Sequence, residues 1–338
     1  WWDYGINDGG ADAVNHPDRW AFLEACERDA MPERVRLVTS NLRVENAKRW
    51  VTVREQVRVH RRTVVDAERT DDGVALETIN VDVLELDAAA LAPAGGAEAA
   101  GAVVHVGNET ATVPEGDGPV FVDLRDGGLS VTRSDPRDTG GLYKSADQYG
   151  PYEAVKLAPY RFVYGTGGSD AETALAREVA LLEQRRRSDR DRSGGQVVPD
   201  TAVDEATMAK YNLYLVGRPE TNAVLDDLAA AFPLSVGDGT VTVGEHTYRG
   251  DLGVQFVYPN PAAPDRLVGV VTGTSEAGLA LTRLDSGEPA GRRPGAYPDY
   301  WVYDETGRFR GWNGCRAAGF FDKRWRLDPE LGSFEHRR

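Results

Sequence analysis

The sequence predicts a chain of α/β plus β class, in which a small β-sandwich precedes an α/β domain with a mostly parallel sheet. Three observations predict it. Apolar residues alternate with polar ones from about Trp50 to Arg133; from Arg161 short apolar runs end in glycine turns that lead into amphipathic helices; a Pro- and Gly-rich stretch separates the two.

The order of elements follows from local chemistry. Residues 1–44 begin with an aromatic, Gly-rich stretch, WWDYGINDGGADAVNHP, then a helix and a short strand. Pro17 suits the first helical position, Trp20, Leu23 and Cys26 share one helix face, and Val35 to Val38 reads as the strand. A unit this short buries too little to fold alone, so it is expected to be the tail of something larger. Residues 45–133 change to a period of two. Val51 and Val53, then Val57 and Val59, then Ile79, Val81 and Val83 place apolar side chains on one face, while Gly107-Asn108 and Asp126-Gly127-Gly128 mark hairpin turns. Ala88 to Ala102 reads as a surface loop. Residues 134–160 read as a linker laid over the surface, because Asp135-Pro136, Gly140-Gly141 and Gly150-Pro151 punctuate them.

Residues 161–338 repeat a strand, turn and helix plan. Phe162 to Tyr164 is a strand, Gly165 to Gly168 the turn, Ser169 or Asp170 the cap, and Leu175, Val179 and Leu182 the apolar face of the helix. Val197-Val198 is a second strand. Asn212 to Gly217 is a third, with Thr221 or Asn222 capping the helix after it. A β excursion through Val241, Val243 and Tyr248 is expected to pair with Gly253 to Tyr258. Leu267 to Val271, the helix from Glu276 to Leu284 and a final strand at Asp299 to Tyr303 complete a flavodoxin-like arrangement.

Bulk properties exclude several classes. The 338 residues carry 54 acidic against 39 basic side chains, for a net charge of −15, which argues against a general nucleic-acid binder. No apolar run approaches the roughly 20 residues of a membrane helix. Cys26 and Cys315 form neither a zinc set nor a disulfide framework, and their pairing is left open. The histidines at positions 16, 60, 105, 246 and 336 are scattered, no calcium loop occurs, and no metal or cofactor is expected.

Three strand ends share a pattern: Gly165-Thr166, Gly217-Arg218 and Gly273-Thr274. On a parallel sheet they would meet at one carboxyl edge, where ligands bind, so Thr166, Gly167, Arg218, Asn222, Thr274 and Ser275 form a candidate crevice for a carbohydrate or an anion. The same residues equally well just end strands and start helices. The GTGGSD turn lacks the third glycine of a dinucleotide fingerprint, and no phosphate-loop lysine follows it. No G-x-S-x-G elbow exists, which leaves Ser275 as a cap and His16 without a nucleophile. The Arg185 to Arg192 cluster reads as a solvated helix end, with an acidic docking partner as the other reading.

The segments WWD, GADAVNHPDRWAFL, RVRLVTSNLRV and RWVTV resemble the downstream portion of bacterial and archaeal prolyl-oligopeptidase-type α/β-hydrolases, peptidases or esterases. YKSADQYGPYEAVKLAPYRFVYGTGG, NLYLVGRPETN, TVTVGEHTYRGDLGVQFVYPNP and YPDYWVYDE resemble the long extension after their hydrolase domain. The resemblance implies that a catalytic His precedes Trp1, that the nucleophile lies further upstream, and that Trp1 and Trp2 stand at the active-site rim. No catalytic residue then falls within this chain. The expectation is a C-terminal accessory region: residues 1–44 a remnant of the α/β-hydrolase domain, 45–133 the β-sandwich, 134–160 the linker and 161–338 the α/β domain. The resemblance further implies an ester or peptide substrate bound through the missing domain, and it is compatible with secretion or a periplasmic location and with oligomers.

Overall fold

The computed structural model describes residues 17–92, 99–138, 140–191, 194–283 and 297–334. It is a mixed α/β structure in which sheets dominate. Helix α1 (Pro17–Ala25) starts at the proline that suits a first turn and precedes two five-stranded sheets. The strands are β1 (Arg34–Thr39), β2 (Ala47–Lys48), β3 (Val51–Gln56), β4 (Thr63–Thr70), β5 (Gly73–Ile79), β6 (Val81–Leu86), β7 (Val103–Val106), β8 (Glu109–Thr112), β9 (Val120–Asp123) and β10 (Ser130–Thr132). One sheet runs β1-β4-β5-β7-β8 and the other β10-β9-β6-β3-β2. Val35, Leu37, Val51, Val53, Val65, Val74, Val104 and Val122 fill one core shared by both.

Two sequence expectations change here. Strand β1, expected with the tail of the preceding region, pairs along its whole length with β4, from Arg34 opposite Glu68 to Thr39 opposite Thr63. Its alternate residues Val35 and Leu37 enter the shared core, and only a sheet partner satisfies both that face and the backbone. The expected alternation through Ile79, Val81 and Val83 breaks at Asn80, whose φ of 61° turns the chain and separates β5 from β6. Val57 likewise lies beyond β3 and is exposed. Both hairpins form as read, at 107–108 between β7 and β8 and at 126–128 between β9 and β10. The loop after β6 starts with a short helix, α2 (Ala88–Leu91), capped by Asp87, whose Ala90 and Leu91 are buried.

The expected surface linker is instead partly buried between the sheets. Tyr149 belongs to the core of the five-stranded pair, and Tyr152, Ala154 and Val155 to the core of the next sheet. The Tyr149 hydroxyl donates to Gln56 Oε1 at 2.6 Å and accepts from His60 N–H at 3.0 Å. Gln148 donates to the carbonyl of Pro264, and Tyr152 N–H to that of Pro298. Aromatic residues spaced among glycines and prolines carry no helical or strand period, so this burial is invisible to pattern reading.

The remaining strands are β11 (Tyr160–Tyr164), β12 (Gln196–Pro199), β13 (Asn212–Val216), β14 (Leu234–Gly237), β15 (Thr240–Val243), β16 (His246–Arg249), β17 (Gly253–Asn260), β18 (Ala263–Gly273), β19 (Tyr300–Tyr303), β20 (Cys315–Phe321) and β21 (Leu327–Phe334). An eight-stranded sheet runs β12-β11-β13-β18-β17-β19-β20-β21. Its first three pairings are parallel and the other four antiparallel. The mostly parallel sheet is thus a mixed one, because β17 and β18 are joined by a hairpin and two strands follow the expected last one. Strands β14 to β16 form their own small sheet, so β17 is not the partner of the β excursion. Helices α3 (Asp170–Asp191), α4 (Glu205–Lys210), α5 (Ala223–Ala229) and α6 (Glu276–Leu281) connect these strands. Ser169 and Asn222 supply the caps of α3 and α5, and Asp204 that of α4, a helix the sequence reading missed.

Candidate functional site

Strands β12, β11, β13 and β18 run parallel, so the loops after them open on one edge, as the spacing of the glycine turns predicts. The edge is closely packed. A Cβ on Gly165 would come within 2.4 Å of the carbonyl oxygen of Thr221, so the turn after β11 lies directly on the loop after β13. Gly167 N–H donates to that same carbonyl at 2.9 Å.

Each predicted residue has a partner within the chain. Thr166 donates its hydroxyl to Asp200 Oδ1 at 2.6 Å, and its N–H faces Oδ2 at 3.3 Å. Asp200 Oδ2 also accepts from Ala223 N–H, the first residue of α5, at 2.9 Å. Arg218 donates through Nε to Glu172 Oε1 at 2.6 Å. That contact holds its guanidinium above its ordinary value. Asn222 is buried, donates to the carbonyls of Val163 and Val216, and accepts from Leu225 N–H. Thr274 is buried between the Gly250 carbonyl and the Leu252 N–H. Ser275 donates to Asp251 at 2.5 Å and caps α6 through Gly278 N–H.

The arrangement is therefore electrostatically complete. The positive ends that were expected to draw an anion already face a carboxylate of the chain: Asp200 sits at the start of α5, and Glu172 neutralises Arg218. Asp200 was missed because it follows β12, the one parallel strand whose end carries no glycine; the Pro199-Asp200 step was the available signal. Thr166, Gly167, Arg218 and Asn222 are brought together around it and Glu172. Thr274 and Ser275 belong instead to contacts with residues 250–252.

Other candidates separate. Trp1, Trp2, His16 and His336 lie outside the described residues, as do the side chains from Arg186 to Arg192. His105 meets Asp72 at the surface. His60 packs between Tyr149 and Phe320, and burial together with the nearby Lys144 charge lowers its pKa to about 3. Cys26 and Cys315 are unbonded, and burial pushes the Cys315 thiol up to about 12. Among the described residues no group of three or more His, Cys, Asp or Glu side chains could hold a metal, and no helix is long and apolar enough to cross a membrane.

No family model matches the chain. No curated protein matches it either.

A polar cavity of about 550 Å³ lies at the opposite edge of the sheet. Arg43, Gln148, Asn212, Asp265 and Arg266 line it, where the five-stranded sheets, the 143–157 segment and the starts of β13 and β18 meet. Two arginines, Arg43 and Arg266, and two aspartates, Asp147 and Asp265, line it. Its lining includes one serine, Ser145, and no histidine.

Proposed function

We propose that this chain is the C-terminal accessory region of a serine hydrolase of prolyl-oligopeptidase type, a peptidase or carboxylesterase. In this reading the residues before β1 belong to the hydrolase body, the two five-stranded sheets are a β-sandwich, and the eight-stranded sheet is a flavodoxin-like domain extended by an antiparallel half. Helix α1 is the observation that carries it. Trp20, Phe22 and Leu23 are 48%, 68% and 49% exposed, and no residue of the helix is buried. A helix bearing a Trp, a Phe and a Leu in water is unfavourable by itself and fits a surface that another body covers. The resemblance of the WWD, GADAVNHPDRWAFL, RVRLVTSNLRV and RWVTV segments to the region following a catalytic His supports a hydrolase domain as that body. The internally neutralised edge supports an accessory role for the C-terminal sheet, since its polar groups are already committed to folding.

The chemistry of the intact protein would be attack by a serine hydroxyl on an ester or peptide carbonyl, with a histidine as general base and backbone N–H groups holding the oxyanion. The accessory region would position substrate or restrict access to the site. Hydrolysis of a p-nitrophenyl ester, with a fluorophosphonate probe for an activated serine, tests this on the present chain and on a form extended upstream. Activity and labelling confined to the extended form are expected. Labelling of the present chain, at Ser275 or elsewhere, would overturn the reading.

A further inference from the structure

Lys144 and Asp299 lie between the partly buried 143–157 segment and the start of β19, with side chains 1% and 0% exposed. The Lys144 Nζ contacts Asp299 Oδ2 directly. Aromatic walls enclose the pair: the Nζ stands 4.7 Å from the centroid of Trp325 and 5.6 Å from that of Tyr149. Phe321 N–H donates to the same Oδ2 at 2.9 Å. The other oxygen, Oδ1, has no hydrogen-bond partner among the described residues and is packed against Gly150, where an added Cβ would come within 2.3 Å. An amine and a carboxyl are thus held in contact in a dry, apolar enclosure, with a backbone donor on one carboxyl oxygen and none on the other.

We propose that Lys144 and Asp299 condense to an intramolecular isopeptide bond. A proton passes from the ammonium to the carboxylate and comes to rest on Oδ1, the oxygen without a donor, giving amine and carboxylic acid. The Nζ lone pair then forms the N–Cγ bond, and Phe321 N–H holds Oδ2 as it gains charge in the tetrahedral intermediate. The Cγ–Oδ1 bond breaks, and Oδ1 leaves as water with one proton from the carboxyl and one from the nitrogen. No other reactant is consumed. Burial favours the reactive forms, since it lowers the Lys144 ammonium and raises the Asp299 carboxyl. Contact supplies the high effective concentration that condensation in bulk water lacks. The product removes two charges from the interior, where an ion pair is costly to keep. Lys323 is 25% exposed and pairs with Asp82 and Glu55, which hold its pKa above the ordinary value, so it stays an ammonium.

Intact-mass measurement on the purified full chain, held at neutral pH until the mass is constant, tests the bond. The expected mass is one water below that of the sequence, and a proteolytic digest should contain one branched peptide joining the segments around Lys144 and Asp299. Lys144→Arg is expected at its full sequence mass. A wild-type chain at full mass would overturn the proposal. So would a water loss that maps to a cyclic imide at an Asp-Gly step, at Asp8, Asp72, Asp117, Asp126 or Asp238, with residues 144 and 299 in separate peptides.

Discussion

Asp200 shows what a single buried carboxylate does for this sheet. It is 4% exposed and accepts from Thr166, Thr201 and Ala223, so Asp200→Ala leaves several donors facing a void. The expected loss is about 3 kcal/mol in urea unfolding, with Asp200→Asn losing less. A substitution within ±0.5 kcal/mol would show that water satisfies these donors. His60 sets a pH dependence. Its folded pKa, held down chiefly by burial and further by Lys144 while that side chain is charged, is then about 3, below the ordinary value near 6.5, so the unfolded chain binds the extra proton between them. Its contribution is complete above about pH 6.5 and is lost as pH falls toward 3, at about 1.4 kcal/mol per pH unit. His60→Asn, which tolerates the φ of 58°, should flatten that limb of the stability–pH curve. Neither role was readable beforehand: His60 stood in an alternating β run, and Asp200 among many acidic residues.

Elements repeat the lesson with capping. Asn222 joins α5 to two strands, its Nδ2 bridging the Val163 and Val216 carbonyls while its Oδ1 caps the helix. Asn222→Asp keeps the cap and loses both bridges, so unfolding midpoints should fall by an amount matching about 2–3 kcal/mol; equal stability would confine the residue to capping. Helix α1 offers the contrary case. Trp20→Ser and Leu23→Ser should change the stability of this chain by less than about 0.5 kcal/mol, because neither side chain is buried here. On the proposed reading, the same pair of substitutions should lower the stability of a form extended upstream. The strands and the capped helices α3, α5 and α6 were legible because periodicity and cap residues are local signals. Helix α4 was not, since EATMAK has Met208 as its one large apolar residue and so shows no apolar face, whereas the equally short α6 carries two leucines.

At the scale of the molecule, the sheets are tied together by charges far apart in sequence. Lys323 reaches Glu55, 1% exposed and 3.0 Å away, and also contacts Asp82. Lys323→Met would leave Glu55 buried without its counter-charge and should cost about 3 kcal/mol. Calorimetry should then resolve two transitions where the wild type gives one. An unchanged single transition would place the coupling in the buried aromatics of the 143–157 segment instead. The exposed Arg58–Glu330 pair, by contrast, should be removable at little cost.

By itself the sequence determined the class of the chain, most of its strands and caps, and the convergence of three loops on one sheet edge, since alternation, turn residues and parallel order are encoded within a few neighbouring residues. Only the tertiary structure decided that β1 joins the five-stranded pair, that the C-terminal sheet continues as an antiparallel half, that residues 143–157 are partly buried, and that Asp200 and Glu172 neutralise the edge. These outcomes depend on side chains tens to hundreds of residues apart finding dry, complementary surroundings. That energy belongs to the assembled core and leaves no period in the chain.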